Sequence, residues 1–588
     1  MITRYTRLRV PARPLVEPTI ILRRIASDSA RARAPSSSTS HRSNSNNNNN
    51  KKAFVAATAA MTVAASAGIY VSHSSDARGF ISRQFTPALI LSDARPTEQS
   101  FVPSKYAQLS GGQVEFPRAA GFATKSTRML SEEEVAEKLS EHEESYLVDR
   151  SQGVARFDIT QLASNCQIED DFTAKIVNVN FADGPSDWYF FGVFDGHGGW
   201  NTSAKLRELL VPYVAAELMD KMQPDIVPKT FGTESAANAR LIDEAIEMAF
   251  LKLDDDIVRK PLNFLIEHPY KPASPELLMP AMSGSCALLS LYDSATGTLR
   301  VACTGDSRAV WGHKDASGLW TATPLSYDQC GRNQTEITRL QKEHPGEPDV
   351  IKNGRVLGGL EPTRAFGDAR YKLPSKVLDK ATSLFFGRSS PSNSASPPYV
   401  TAKPEILTTK VSPGDFLVLA TDGIWDELSC REVVQLVVEW VKKREIDSGA
   451  PPPGIVTHVR KGGIFSSVSD LADVKVKSDT AELNARLDQR AHGDDLAQIQ
   501  LRNAIAMQKH FRGLFTVEDN NAATHIVRNA LGGADKEQTS MLVSIPPPIS
   551  RRYRDDMTVL VVFFGEPKDA EKSGKITQIQ EATKGGKV

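Results

Sequence analysis

The sequence predicts an α+β domain whose strands and helices are layered rather than wound around a parallel sheet. Six runs rich in β-branched and aromatic residues read as strands: 174–181, 188–194, 287–292, 299–304, 416–421 and 557–564. Five helical stretches are interleaved with them: 203–218, 236–258, 334–342, 431–444 and 522–531. The link at 293–298 is of hairpin length, which favours antiparallel neighbours because parallel strands need a long crossover.

Length and composition describe a globular chain with appendages. The 588 residues are 40% hydrophobic and 24% charged, enough for one large or two ordinary domains. Residues 1–52 are strongly basic, with eleven Lys and Arg against Glu17 and Asp28, so the remainder is acidic and nucleic-acid binding is not expected. The five cysteines lack paired or metal-type spacing, so neither a disulfide framework nor a zinc site is indicated.

The N-terminus is typical of a mitochondrial presequence. Its first 34 residues contain eight Arg, no Lys and two acids among Ser, Thr and aliphatic residues. A run rich in Ser and Asn follows at 36–50 and cannot build a core. We therefore predict a presequence and spacer over 1–50 and a mitochondrial location, with a basic arm that binds an anionic surface as the alternative.

Residues 53–72 form a stretch of twenty residues without a charge. Its length suits one bilayer crossing, but it is rich in Ala, Thr and Ser, so its insertion free energy is marginal. Two interpretations stay open: a transmembrane or stop-transfer segment that anchors the chain to the inner membrane, or an extension of the presequence. The choice between the matrix and the inner membrane or intermembrane space depends on this segment.

The body divides into a linker, one folded domain and a tail. The linker covers 73–145 and includes a charged helix at 132–144, which begins with a capping box of Ser131 and Glu134. The folded domain covers 146–565, with polar inserts near 374–400 and 447–513 that we expect on the surface. Residues 566–588 read as a polar tail.

Carboxylates recur where the predicted strands end or begin. Asp195, Asp306 and Asp422 each follow an apolar strand, and Asp555 comes just before one. A single Asp-Gly pair is ordinary turn chemistry, but four acids in this setting lie at the rims of sheets and point towards a common cleft. Oxygen ligands without a His or Cys cluster select Mg²⁺ or Mn²⁺.

Six motifs in a fixed order make the chain resemble the type 2C serine/threonine protein phosphatases over residues 146–565. They are Glu169-Asp170, DGHGG at 195–199, SGSCA at 283–287, GDSR at 305–308, TDGIWD at 421–426 and RDDMT at 554–558. The resemblance implies a sandwich of two antiparallel β-sheets flanked by helices, with a binuclear metal centre in the cleft between the sheets. It also implies metal-dependent hydrolysis of phosphoserine and phosphothreonine in a phosphoprotein substrate.

The resemblance carries residue roles with it. Eight residues would hold two Mg²⁺ or Mn²⁺ ions, with room for a third. Asp195 would lie between two ions, Asp422 and Asp555 would bind one of them, and the Gly196 carbonyl would bind the other. Glu169 and Asp170 would act through waters, and Asp306 and Asp426 would bind the third ion. Two close divalent ions activate a water and clamp the oxygens of an in-line phosphoryl transfer. His197 is the natural general acid for the departing seryl oxygen, with a turn histidine as the alternative.

A narrower resemblance points to the pyruvate dehydrogenase phosphatase branch of that family. It rests on RFDITQLASN at 156–165 and LEPTRAFGDARYK at 360–372. Asn165 stands where most of the family has a phosphate-binding Arg, as it does in that branch, so it is a candidate catalytic residue. An amide supplies no charge, and Arg156 and Arg364 are candidates for the missing cation on motif proximity.

Some positions depart from that branch and leave the substrate open. Gln167 and Asp171 stand where the branch usually has Pro and Arg, and Gln329 breaks its Leu-x-x-Asp-His pattern. The two motifs at 156–165 and 360–372 still make the pyruvate dehydrogenase complex the expected substrate. Because of the departures, another mitochondrial phosphoprotein is the alternative. A non-catalytic scaffold of the same fold is a third interpretation, which the retained metal carboxylates disfavour.

Overall fold

A computed structural model of the chain describes residues 20–21, 108–110, 113–116, 125–150, 153–181, 184–221, 236–269, 274–453, 455, 475–476, 515–565 and 575–584. The expected presequence lies outside these ranges except for residues 20–21, and the uncharged stretch 53–72 lies wholly outside them. Within the described ranges, no helix is both long enough and apolar enough to cross a membrane.

The described part of the chain contains many short strands. They are β1 (Ile20–Ile21), β2 (Gln108–Ser110), β3 (Gln113–Phe116), β4 (Lys125–Arg128), β5 (Glu144–Val148), β6 (Val154–Leu162), β7 (Asp171–Phe181), β8 (Gly184–Phe194), β9 (Gly196–His197), β10 (Gly284–Ser285), β11 (Ala287–Asp293), β12 (Thr298–Thr304), β13 (Arg308–Lys314), β14 (Trp320–Pro324), β15 (Ile351–Lys352), β16 (Arg355–Val356), β17 (Phe366–Gly367), β18 (Glu405–Lys410), β19 (Phe416–Ala420), β20 (Lys475–Val476), β21 (Met557–Phe564) and β22 (Ile576–Gln578).

Two large sheets form the centre of the fold. The first has the order β1-β7-β8-β11-β12-β18 and the second β20-β14-β13-β19-β21-β6-β5-β22. Their strand pairs are antiparallel, apart from the edge pairs β1–β7 and β14–β20. One apolar cluster takes side chains from both sheets, among them Phe191 and Leu288 of the first and Leu419 and Leu560 of the second. The two sheets therefore pack face to face, as the sequence predicts.

Helices cover the outer faces of this sandwich. They are α1 (Glu132–Leu139), α2 (Asn201–Lys221), α3 (Ala236–Glu267), α4 (Ser274–Met282), α5 (Gln334–Glu343), α6 (Ala369–Lys372), α7 (Ser375–Leu384), α8 (Asp422–Trp425), α9 (Cys430–Ser448), α10 (Ala522–Leu531) and α11 (Lys536–Ser544). Helices α2 and α3 share a buried cluster with the first sheet, and α9 and α10 share one with the second. The arrangement confirms the expected fold of two antiparallel sheets flanked by helices.

The start and the end of the domain differ from the prediction. The capping box is confirmed, since the Ser131 side chain accepts from the Glu134 N–H and the Glu134 side chain accepts from the Ser131 N–H. However, α1 ends at Leu139 rather than 144, because residues 144–148 form β5 and bury Tyr146 and Val148. The expected polar tail contributes β22, which pairs with β5, so the second sheet extends past the predicted boundary at 565.

The two predicted inserts differ in what the structure describes. The region 374–400 contains α7, whose Leu378 and Ala381 are buried, so this insert is partly packed into the domain rather than lying wholly on the surface. The second insert begins where α9 ends at Ser448, and most of its residues from 456 to 513 lie outside the described ranges.

Candidate metal centre

The acids predicted from the strand ends meet at one edge of the sandwich. Asp195 follows β8, Asp306 follows β12, Asp422 follows β19 at the start of α8, and Asp555 lies just before β21. Burial raises the pKa of Asp195 well above its usual value, and the charges of Asp422, Asp170, Asp555 and Asp306 raise it further. Contacts agree with this, because Cys286 donates to both Asp195 and Asp306. Asp170 accepts from Thr421 and Thr558, which lie next to Asp422 and just after Asp555, so these acids lie at the same edge.

The same site concentrates more negative charge than the neighbouring guanidinium of Arg551, which contacts Asp555, can neutralise. Burial raises the pKa of Asp422 well above its usual value, and Asp555, Asp306, Asp426 and Asp170 add to the effect. Burial likewise raises the pKa of Asp306 to about 6. Within the described residues, no three His, Cys, Asp or Glu side chains are preassembled around one point as a metal cage. The donor chemistry nevertheless fits hard divalent cations, because the donors are oxygens and the crowded charges need neutralising.

Asp170 is held in place by hydroxyl groups from the second sheet. Its Oδ2 atom accepts hydrogen bonds from Thr421 Oγ1 at 2.9 Å and from Thr558 Oγ1 at 2.8 Å. Thr421 comes directly before Asp422, and Thr558 belongs to the strand that follows Asp555. These bonds fix Asp170 beside two other acids of the site.

Asp556 organises the loop that carries Asn165 and Glu169, a role that sequence reasoning missed. Its Oδ1 atom accepts from the Ser164 N–H at 2.5 Å, the Ser164 hydroxyl at 3.0 Å and the Asn165 N–H at 3.2 Å. Its Oδ2 atom accepts from Asn165 Nδ2 at 3.0 Å and the Glu169 N–H at 2.9 Å. The Asn165 amide group is therefore engaged with Asp556 in this arrangement.

Gly196 is required by close packing around its backbone. A Cβ atom at this position would lie 2.1 Å from the Glu169 carbonyl oxygen and 2.9 Å from Ser203 Oγ. The Ser203 hydroxyl donates to that same carbonyl at 2.5 Å, and the Cys286 N–H donates to the Asp195 carbonyl at 2.9 Å. The loop that carries Asp195 and Gly196 is thus fixed against the loop that carries Glu169.

His197 lies next to a partner that sequence reasoning missed, Asp368. Their Nε2 and Oδ2 atoms are 2.6 Å apart, and the His197 side chain keeps 26% of its surface exposed. Burial lowers the pKa of His197, but the charge and hydrogen bond of Asp368 outweigh it, so the net direction is upwards. Asp368 lies in the quoted stretch 360–372, but nothing in that stretch shows that it meets residue 197.

A small sheet brings this pair together. Strands β9 and β17 both pair with β10, which places His197 and Gly367 on either side of Gly284. A Cβ atom at Gly284 would lie 2.1 Å from His197 Nε2 and 2.2 Å from Asp368 Oδ2. Glycine at 284 is therefore what leaves room for the hydrogen bond.

The two acids expected at a third ion differ in their exposure to solvent. Asp306 is 8% exposed and accepts a hydrogen bond from Cys286 Sγ at 3.1 Å, whereas Asp426 is exposed at the end of α8. Gln329, one of the departures in sequence, fixes the turn before Asp306, because its Oε1 atom accepts from the Gly305 N–H at 2.8 Å.

The two arginines proposed on motif proximity are both buried in ion pairs. Arg156 is 2% exposed and donates from Nε and Nη2 to the two carboxylate oxygens of Asp158, each at 2.8 Å. Arg364 is 6% exposed and donates to Glu336 and Glu405. Both have structural roles, so neither supplies a cation to the cleft.

An acidic cleft of this kind between two β-sheets defines a class, the metal-dependent hydrolases of phosphate esters. A family model described as Protein phosphatase 2C matches residues 164–452. Pyruvate dehydrogenase phosphatase 1, mitochondrial, of Saccharomyces cerevisiae is 40% identical over 474 residues, which cover 78% of this chain and 77% of that protein. A protein phosphatase 2C homolog of Schizosaccharomyces pombe is 39% identical over 74% of this chain and 85% of its own length. Human pyruvate dehydrogenase phosphatase 2, mitochondrial, is 30% identical over 70% of this chain and 78% of its own length.

This chain belongs to the protein phosphatase 2C family. It is a protein serine/threonine phosphatase, and its substrates are phosphoproteins. The family depends on Mg²⁺ or Mn²⁺, which agrees with the chemistry of the acidic site.

Proposed function

We propose that this phosphatase acts in mitochondria on pyruvate dehydrogenase and removes phosphoryl groups from its serine or threonine residues. Two relatives that match most of this chain are named as mitochondrial pyruvate dehydrogenase phosphatases. The observation that carries the catalytic part is the group of five carboxylates that raise one another's pKa at the rim of the sandwich. A phosphoprotein binder without activity would have no use for such costly crowding of charge.

The acids of this group would hold two Mg²⁺ or Mn²⁺ ions. Their roles follow the sequence assignment: Asp195 between the ions, Asp422 and Asp555 on one, the Gly196 carbonyl on the other, Glu169 and Asp170 through waters, and Asp306 with Asp426 at a third position. When bound, such ions activate a water for attack and stabilise the charge of the transferred phosphoryl group. Asp170 is already aligned for this role by its two threonine hydroxyls.

His197 serves as the general acid that protonates the departing seryl or threonyl oxygen. Its exposed fraction leaves the ring open to substrate, while its Nε2 atom lies 2.6 Å from Asp368. Asp368 is a positioning residue: it orients the imidazole and favours its protonated form. Asn165 belongs to the same proposal as a residue of the substrate loop, which it ties to Asp556.

The N-terminal region directs the chain to mitochondria in this proposal, and residues 53–72 decide whether it is anchored to the inner membrane. The basic composition of 1–50 and the mitochondrial names of the relatives support the first part. Protease protection and carbonate extraction of purified mitochondria test both parts. A chain found outside mitochondria overturns the location, and complete extraction by carbonate overturns the anchor.

The substrate is tested with phosphorylated pyruvate dehydrogenase complex and the purified full-length chain. We expect release of phosphate with Mn²⁺ or Mg²⁺, no release with chelator, and a kcat/KM well above that for an unrelated phosphoprotein of equal phosphate content. Asp195→Asn is the inactive control. Equal kcat/KM on both proteins would overturn the substrate, and full activity in chelator would overturn the metal-dependent mechanism.

A further inference from the structure

The cleft has to attract a dianion although it is lined by acids. A seryl phosphoryl group carries close to two negative charges at neutral pH. Asn165 offers no charge to it, and its Nδ2 group donates to Asp556. Arg156 and Arg364 are buried in ion pairs elsewhere, as described above. Another cation near the acids would therefore have to supply the charge.

Arg551 is a cation at this position. It lies in the 3₁₀ turn Ile549–Arg552, immediately before the acidic RDDMT motif, and 48% of its side-chain surface is exposed. Its Nη1 atom lies 2.5 Å from Oδ2 of Asp555. A guanidinium has five N–H donors in a planar fork, so one contact to a carboxylate leaves donors for a second anion.

The contact with Asp555 places the Arg551 guanidinium at the acids of the site, and their charges act on it. Burial lowers the pKa of Arg551, but the charges of Asp555, Asp422, Asp195 and Asp556 outweigh it and raise the pKa overall. In return, the charge of Arg551 lowers the pKa of Glu169, against the larger effect of burial. Arg551 thus acts on acids from both sheets.

Arg554, three residues further on, differs in its access. It is only 6% exposed, and its Nη2 atom donates to the Ala163 carbonyl at 2.7 Å. Burial lowers the pKa of Arg554 to about 10, while the neighbouring carboxylates act in the opposite direction. Arg554 can offset the negative charge of the neighbouring carboxylates, but it is too buried to contact a substrate.

We propose that Arg551 binds the phosphoryl group of the substrate and supplies the charge that Asn165 lacks. The proposal rests on the proposed function of the cleft and names a substrate-binding residue within it. Asp555 would hold an ion when the site is loaded, and its carboxylate would then no longer be available to Arg551. The guanidinium N–H groups then donate to the phosphoryl oxygens instead of to Asp555, through two parallel N–H···O bonds.

The test compares Arg551→Ala with Arg551→Lys and with the matched control Arg552→Ala. Arg552 lies next to Arg551 in the same turn and is exposed. In saturating Mn²⁺, we expect Arg551→Ala to raise KM for a phosphoserine peptide about tenfold or more, with a smaller change in kcat, because one charged hydrogen-bonding contact is lost. Arg551→Lys should regain part of the affinity because it keeps the charge but not the fork. Arg552→Ala should match the wild type.

Calorimetric binding of inorganic phosphate to the Mn²⁺-loaded protein gives a readout independent of turnover. Arg551→Ala should weaken this binding by the same factor as it raises KM. If phosphate affinity and KM stay within twofold of wild type, or if only the Mn²⁺ requirement changes, Arg551 supports a metal ligand and the proposal is overturned. If pyruvate dehydrogenase proves not to be the substrate, the phosphate-binding comparison still decides the role of Arg551.

Discussion

Two acids in this chain, Glu336 and Asp422, lie under opposite electrostatic conditions. Glu336 is 1% exposed and accepts hydrogen bonds from Arg364 and from Arg339, both at 2.7 Å. Burial raises the pKa of Glu336, but these arginines outweigh it and lower the pKa to about 2. At Asp422, burial and four neighbouring acids act in the same direction and raise the pKa.

The fold keeps the acids of structural ion pairs apart from the acids of the proposed metal centre. An acid that holds elements together receives its own guanidinium partners, so its charge is neutralised within the chain. The acids of the cleft are crowded against each other, so the contact of Arg551 with Asp555 leaves most of their negative charge for ions to neutralise. The two kinds of acid should therefore respond to substitution in opposite ways.

The largest effect is expected for the acids of the cleft. Asp195→Asn and Asp422→Asn should each reduce kcat on a phosphoserine peptide by orders of magnitude, because losing an ion removes both water activation and charge stabilisation. In chelator, neither variant should lower the free energy of unfolding, since each relieves repulsion. Steady-state kinetics and urea unfolding measure the two quantities. Activity within tenfold of wild type at saturating Mn²⁺ would contradict the assignment, as would clear destabilisation in chelator.

A smaller effect, on stability instead of rate, is expected for Glu336. Glu336→Ala removes the buried acid that Arg364 and Arg339 share and leaves each with a more exposed acid, Glu405 or Glu343, which should lower the free energy of unfolding by about 3 kcal/mol. Glu343→Ala is the matched control, because Glu343 pairs with Arg339 at 2.8 Å but is 48% exposed, and such pairs contribute about 1 kcal/mol or less. Urea unfolding measures both variants. Equal losses in the two would show that burial does not distinguish these pairs.

The smallest effect is expected at Asp368, an acid of the cleft that does have a partner. Asp368→Asn should lower kcat on a phosphoserine peptide about a hundredfold, at the lower end of general acid catalysis. The rate on p-nitrophenyl phosphate should change little, because its leaving group departs without a proton. The ratio of the two rates is the measurement. A parallel loss on both substrates would indicate that Asp368 serves only to hold β17 near β9.

The sequence predicts the layered fold and most of the acids because both leave local patterns. Strand β21 and helix α10 have their predicted bounds, since an apolar run and a helical period are each complete within a few residues. Strand β6 leaves only a motif in the sequence: its burial is continuous from Val154 to Thr160, so it lacks the alternation of a half-buried strand. Asp195, Asp422 and Asp555 were predicted because each adjoins a strand end.

Residues that act through distant partners were harder to predict. Asp368 meets His197 across 171 positions of the chain, and only the small sheet of β9, β10 and β17 brings them together. Asp556 was quoted as part of a motif, but its five hydrogen bonds to residues 164–169 depend on the packing of two loops. Arg156 and Arg364 were proposed for the cleft because sequence proximity to a motif does not report side-chain burial.

The pairing of β6 with β21 also governs when the domain can be completed during synthesis. These strands register Leu162 against Met557 and Phe157 against Val562, nearly 400 residues apart, in the middle of the second sheet. A ribosome that has made residues 1–550 has produced β6 and β19, but not the strand that lies between them. Both of their inner edges stay unpaired until the final segment emerges, because edge hydrogen bonds have no other partner in this sheet. Folding of the second sheet, and with it assembly of the acidic site, must therefore follow translation of almost the entire chain.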